Sequence, residues 1–207
     1  FNSSLDLAEN YLRLYRLGII KLDRVFVSNL LEFISNSFLE IELDVERDIM
    51  AYDRQWIAYG LFTQDIHDDN VNLWNPKKLI DSVKHKFMDY PVGIQARLGL
   101  YLMKEDIDLV DTIHQSFEER SFYDPKVGRF WNHDGGWRWG EWQLNTHSYL
   151  LEFFNRREQK DQWMIEMKQW LVSHKQGNAW KNARQTSDAL LSFYMTESSQ
   201  TVDWELI

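Results

Sequence analysis

Apolar residues recur along this chain at three- and four-residue steps, the repeat of a helix with one buried face. Leu5, Ala8, Tyr11, Leu12 and Tyr15 form one such stripe, and Gly18 is placed to stop it. Leu22, Val25, Phe26, Leu30, Phe33, Ser37 and Ile41 predict a second, longer helix. Ile49, Trp56, Ile57 and Gly60 carry the pattern on, with Asp53 on the same stripe. Pro76 and Pro91 stand where helices begin, since proline is tolerated in the first turn. After Pro91 come Ile94, Leu98, Tyr101 and Leu102, then Val110, Ile113, His114 and Phe117. Two more stripes follow: Trp163, Met164, Met167, Trp170, Leu171 and His174, then Ala183, Thr186, Ser187, Leu190, Leu191 and Tyr194. No convincing alternating strand bounded by turn signals stands out. Ser121–Trp142 has no helical pattern, and a stretch of that kind inside a helical domain is expected to be a functional loop or a packed insert.

Successive helices of similar length imply antiparallel hairpins, which either stack into an open solenoid or close into a ring of inner and outer helices. A strict repeat of roughly 34 or 40 residues is missing, which argues against regular helical repeats. The expectation is an all-α fold of antiparallel hairpins forming an α/α toroid or part of one, with residues 1–207 as a single domain.

Composition narrows the function. The chain carries 23 Lys+Arg against 32 Asp+Glu, a formal charge of −9, so binding to nucleic acid or anionic lipid through a general positive field is not expected. No stretch approaches the ~20 uninterrupted apolar residues of a membrane span, and none has the layout of a signal peptide. With no cysteine there is no disulfide, thiolate metal site or cysteine nucleophile within these residues. Ten tryptophans against three prolines is an unusual balance. The start Phe1-Asn2-Ser3-Ser4, without methionine, reads as an excerpt of a longer protein.

Most catalytic signatures are missing: no phosphate-binding Gly-x-x-x-x-Gly-Lys, no His-Glu-x-x-His, no dinucleotide glycine fingerprint and no Gly-x-Ser-x-Gly elbow. Asp65-Ile66-His67-Asp68-Asp69-Asn70 is dense in metal-ligand types, with Asp65, His67 and Asp69 as candidates. It lacks the glycine and closing glutamate of an EF-hand loop, and a polar loop with helix-capping aspartates is the simpler reading, so neither metal nor cofactor is expected. Asp53, Asp134 and Glu141 are candidates for the paired carboxylates of glycoside cleavage, which need to stand roughly 5 to 9 Å apart across a sugar site. Trp131, Trp137, Trp139 and Trp142 supply flat rings for stacking on sugar faces. The six histidines are isolated from one another. His174 ends a helix, where a cation meets the negative end of the dipole, and His147 is within possible reach of Asp188 or His133 once folded.

The most informative stretch begins at Asp134-Gly135-Gly136-Trp137-Arg138-Trp139 and runs on through Asn145-Thr146-His147-Ser148. Its later parts are Trp170-Leu171, Gln176-Gly177, Trp180 and Thr186-Ser187-Asp188-Ala189. Two glycines before a tryptophan allow a tight turn, and Asn145 and Thr146 are good caps for the helix that follows. In order and spacing, Asp134 to Tyr194 resembles the thioester-containing helical domain of the alpha-2-macroglobulin and complement family. There a glycine-rich Trp loop leads into a helix beginning Asn-Thr or Asn-His. A helix ending Trp-Leu follows, then a Gln-rich tail, Gly-x-Trp, and a helix opening with Thr and an acid. Residues 1–130 match in being helical hairpins of suitable length.

The resemblance implies an α/α toroid within a large protease-trapping protein of β-sandwich modules, periplasmic or otherwise at the cell envelope or outside it. The expected partners are the neighbouring modules of the parent chain and proteases. Covalent members use a Cys-x-Glu-Gln thioester, and with no cysteine present no thioester residue carries over. The leading expectation is therefore a noncatalytic domain, with a carbohydrate-active toroid enzyme as the alternative. Trp137, Trp139, Trp142 and His147 are candidates for ligand or partner contact, although Trp137 and Trp180 are expected first of all to be packing anchors.

Overall fold

The computed structural model describes residues 2–42, 57, 60, 81, 84–132, 143–157 and 161–197. The chain divides into two compact units, Phe1–Tyr90 and Pro91–Ile207.

In the first unit, α1 (Asn2–Arg16) ends on a turn in which Gly18 N–H donates to Tyr15 O and Ile19 N–H to Leu14 O, with Gly18 at φ +68°. These are the two bonds that close a helix through a left-handed glycine. Asp23 then starts α2 (Arg24–Glu42), its Oδ1 accepting from the N–H groups of Val25 and Phe26 at 3.0 Å each. Tyr11 ties the two helices, its hydroxyl accepting from Asp23 N at 2.8 Å while its ring lies 4.8 Å from that of Phe26. Ala8 and Leu12 are buried, as their stripe predicts. On α2 the buried face is Val27, Leu30, Leu31 and Ile34, while Val25 and Phe33 are exposed. The core-facing stripe is thus rotated from the one the spacing suggested, because the helix offers two overlapping apolar stripes and packing chooses between them. A 3-10 helix, Lys84–Asp89, closes the described part of this unit.

The second unit is built around two helices buried on every side, α3 (Val92–Leu102), which starts at Pro91, and α5 (Gln143–Arg156). Helices enclosed all round carry apolar or paired polar residues at all positions, and α5 is buried from Leu144 through Phe154. Flanking them, α4 (Ile107–Arg120), α6 (Asp161–Ser173) and α7 (Ala183–Glu197) each bury one face. α4 is capped by Asp106, whose carboxylate accepts from Leu109 N at 3.2 Å, and buries Val110, Ile113 and Phe117. The fold is all-α, with one β-hairpin among the described residues.

That hairpin, β1 (Ser121–Asp124) and β2 (Gly128–Trp131), occupies the first half of the stretch expected to lack regular structure. Ser121 pairs with Trp131 and Asp124 with Gly128. Its turn is built by Asp124-Pro125-Lys126-Val127: Val127 N–H donates to Asp124 O, and the Asp124 carboxylate accepts from Lys126 N at 2.7 Å. Gly128 follows at φ +102°. A Cβ there would stand 2.2 Å from Glu166 O and 2.7 Å from Trp170 N, so glycine lets β2 lie directly on the α6 backbone.

Candidate functional site

The candidate residues Asp53, Asp65, His67, Asp69, Asp134, Trp137, Trp139, Glu141 and Trp142 all lie outside the described residues. Three clusters in the second unit carry the chemistry that is described.

The first joins α3, α5 and α7. Arg97 is fully buried, with its guanidinium carbon 3.9 Å from the centre of the Tyr149 ring. Its Nη2 donates to Asn145 Oδ1 at 2.7 Å, and Asn145 Nδ2 donates to Asp188 Oδ2 at 3.1 Å. A neutral amide thus connects a buried cation to a buried carboxylate, presenting its acceptor to one and its donor to the other. Two hydroxyls extend the cluster: Ser148 and Ser192 lie 2.5 Å apart, and both reach the Asp188 carbonyl. Buried ions persist only when hydrogen bonded, and this arrangement supplies such bonds from three helices. Arg97 escaped the sequence reading because arginine is ordinarily a surface residue. The available signal was its place three residues after Ile94 and four before Tyr101, on the apolar stripe itself.

α7 accordingly turns its polar side inward. Gln185, Asp188 and Ser192 are buried, while Leu190 and Tyr194 from the expected core stripe are exposed, as are Ala183 and Ser187. Leu191 of that stripe is buried beside Ala189, so the buried face is rotated from the expected one, because the hydrogen-bond network with α5, and not apolar burial alone, sets the rotation of this helix.

The second cluster pins the hairpin to α6. Arg129 Nε donates to Glu166 Oε2 at 2.8 Å, its Nη1 reaches Ser121 Oγ at 2.7 Å, and its guanidinium lies 3.8 Å from the centre of the Trp163 ring. Trp131 is buried beneath, its indole N–H donating to Phe117 O at 2.8 Å and its ring stacked 5.7 Å from Phe154. Trp131 is a packing residue, and not part of an open sugar platform.

His147 lies in the same interior. Its ring stacks 3.6 Å from that of Trp170 and stands 5.9 Å from that of Trp131, with Nδ1 3.1 Å from Gln143 O. It is fully buried, so in this structure it lines a core and no accessible surface. His174 covers the Trp170 ring at 3.9 Å, its Nδ1 2.9 Å from Trp170 O at the C-terminal end of α6. On α4, burial pushes the His114 imidazole below its ordinary value; Glu118 and Asp111 pull it back up, while Arg157 adds to the lowering.

The third cluster closes the turn between α6 and α7. Trp180 is buried, and its indole N–H donates to Leu171 O at 2.8 Å while its backbone N–H donates to Thr186 Oγ1 at 3.1 Å. Trp180 is the packing anchor its place in the sequence suggested.

Among the described residues no group of three or more His, Asp or Glu side chains is arranged to hold a metal ion, and no helix is long and apolar enough to cross a membrane. Comparison with protein-family models, with curated proteins and with solved structures finds no match to this chain.

Proposed function

We propose that this chain is a noncatalytic helical module of a macroglobulin-like protease-trapping protein, with its helical hairpins arranged as an α/α toroid. One observation carries the reading. The residues through which the sequence resembles that family are bonded to one another: Leu171 accepts from the Trp180 indole, Trp180 N–H donates to Thr186, and Asn145 donates to Asp188. A motif whose members spend their polar groups on each other builds a scaffold. The pairing of two all-round-buried helices with flanking one-faced helices also suits an inner and outer ring.

In this reading the module moves as a rigid body when the parent protein changes shape after cleavage elsewhere. Its partners are the neighbouring modules and, through the parent, proteases; its place is the periplasm, the cell envelope or the exterior. No cofactor takes part.

The test is to express the whole reading frame containing this chain and add a protease. Entrapment is expected to abolish hydrolysis of a protein substrate while sparing a small peptide amide, and the isolated chain is expected to do neither. Turnover of a glycoside by the isolated chain, lost on Asp53→Asn, Asp134→Asn or Glu141→Gln, would replace this reading with the carbohydrate-active enzyme.

A further inference from the structure

α7 has two patterned faces. Its inward face spends Asp188 and Ser192 on the network with α5. The other side carries Ala183, Thr186, Leu190 and Phe193 at alternating three- and four-residue steps, with Ser187 and Tyr194 beside them. That spacing is the seam along which two helices pack. Ala183, Ser187, Leu190 and Tyr194 are exposed, and Thr186 and Phe193 are half-buried. A helix with one face buried normally turns charge outward. α4 does so, with Asp108, Asp111, Glu118 and Glu119 exposed, and α7 does not.

The outward stripe is also where two copies of this acidic chain can approach. Each copy has a formal charge of −9, so a contact elsewhere tends to set carboxylates against carboxylates. Met167–Thr196 contains one acidic residue, Asp188, and that residue is buried. No carboxylate of this segment therefore reaches the surface. An antiparallel crossing of two α7 helices adds a match of sign, since the positive N-terminal end of each lies against the negative C-terminal end of the other.

The side chains suit the same arrangement. Thr186 and Ser187 lie four and three residues before Leu190, and Phe193 and Tyr194 lie three and four residues after it. Crossing antiparallel at Leu190 sets the two small hydroxyl residues of one helix opposite the two large aromatic residues of the other, with leucine against leucine on the axis. Such a face is complementary to itself, which is what a twofold interface requires. The Phe193 ring stands 6.4 Å from that of buried Trp180, so the aromatic half of the stripe rests on the core.

We propose that the outer face of α7 is where two copies of this chain associate, antiparallel about Leu190. A stripe on a single helix is smaller than the roughly 800 Å² per partner of a standard stable interface, so the dimer is weak and forms as concentration rises. The inference stands independently of the proposed function.

The test uses the whole chain, whose lack of cysteine lets single-cysteine variants report on one position at a time. At about 100 µM under a mild oxidant, Leu190→Cys is expected to form a disulfide-linked dimer at least about tenfold faster than Val172→Cys. Val172, on α6, is a matched control, 53 % exposed against 57 % for Leu190. Ser187→Cys is expected to link slowly as well, because the antiparallel crossing separates it from its copy by about 9 Å along the helix axis. In sedimentation equilibrium the mass of the parent chain is expected to rise above that of one chain with concentration. Leu190→Glu, which sets two carboxylates together on the axis, is expected to weaken association by at least about tenfold with an unchanged circular dichroism spectrum. Similar linking rates at all three cysteines, or a parent mass that stays constant up to about 500 µM, overturn the proposal. Linking of Ser187→Cys as fast as Leu190→Cys overturns it by requiring a parallel pair. A Leu190→Cys thiol that at about 1 µM reacts more than about tenfold slower than that of Val172→Cys overturns it too, since the stripe is then covered within one chain.

Discussion

Asn145 is the residue on which the second unit turns, because one planar amide satisfies a buried guanidinium and a buried carboxylate at once. Asn145→Ala removes one hydrogen bond from each of two buried ions. It is expected to cost about 3 kcal/mol, measured as the shift in a urea unfolding curve. Asn145→Asp, nearly the same shape, replaces the donor facing Asp188 with a second carboxylate oxygen, and is expected to be at least as damaging at neutral pH. His114 offers a separate test. Burial holds its folded pKa below the ordinary value of about 6.5 that the unfolded chain has, so the unfolded chain takes up protons first on acidification. Stability contributed by the neutral ring is full above that ordinary value and falls as pH drops through the lowered folded one. Comparing urea midpoints at pH 7.5 and 5.5, the loss on acidification is expected to be smaller in His114→Gln than in the parent.

The elements differ in how plainly their sequences announce them. The helices after Pro91 and around Val110–Phe117 were legible because apolar residues recur at helical steps in each, and Pro91 marks the start of the first. The hairpin was not. Its strands are only four residues long, β1 has no buried residue, and its defining turn mixes Pro125 with Gly128 in a stretch dominated by aromatic residues. α7 is legible as a helix, but its buried face, which keeps Leu191 and adds Asp188 and Ser192, is rotated from the stripe, since an apolar stripe is visible in one dimension and a partner for Asp188 is not. Gly128→Ala tests the hairpin directly. The added methyl would meet the α6 backbone at a glycine-favouring φ, and a loss of about 3 kcal/mol is expected, with Trp131 becoming accessible to acrylamide quenching. Of the candidate site, the sequence exposed the motif residues from Asn145 to Asp188, and not Arg97 or the Arg129–Glu166 pair. Those are long-range partners that no local spacing encodes.

For the molecule as a whole, the division at Tyr90–Pro91 leaves the second unit with its own buried core, from Ile94 through Phe117 and Phe153 to Trp170. Residues 91–207 expressed alone are expected to fold, giving a dispersed amide spectrum and a cooperative thermal transition. A molten, non-cooperative product would show that the core is completed from elsewhere. The two indole clamps in this unit have a consequence for how its sequence drifts. Trp131 closes the end of α4 from fourteen residues downstream, and Trp180 closes the end of α6 from nine. Each fixes the length of chain between a helix end and its clamp. Insertions and deletions should therefore be purged from Phe117–Trp131 and Leu171–Trp180, although the first span crosses a hairpin turn and the second is largely loop. Relatives of this chain are expected to hold those two lengths constant even where the residues between them change.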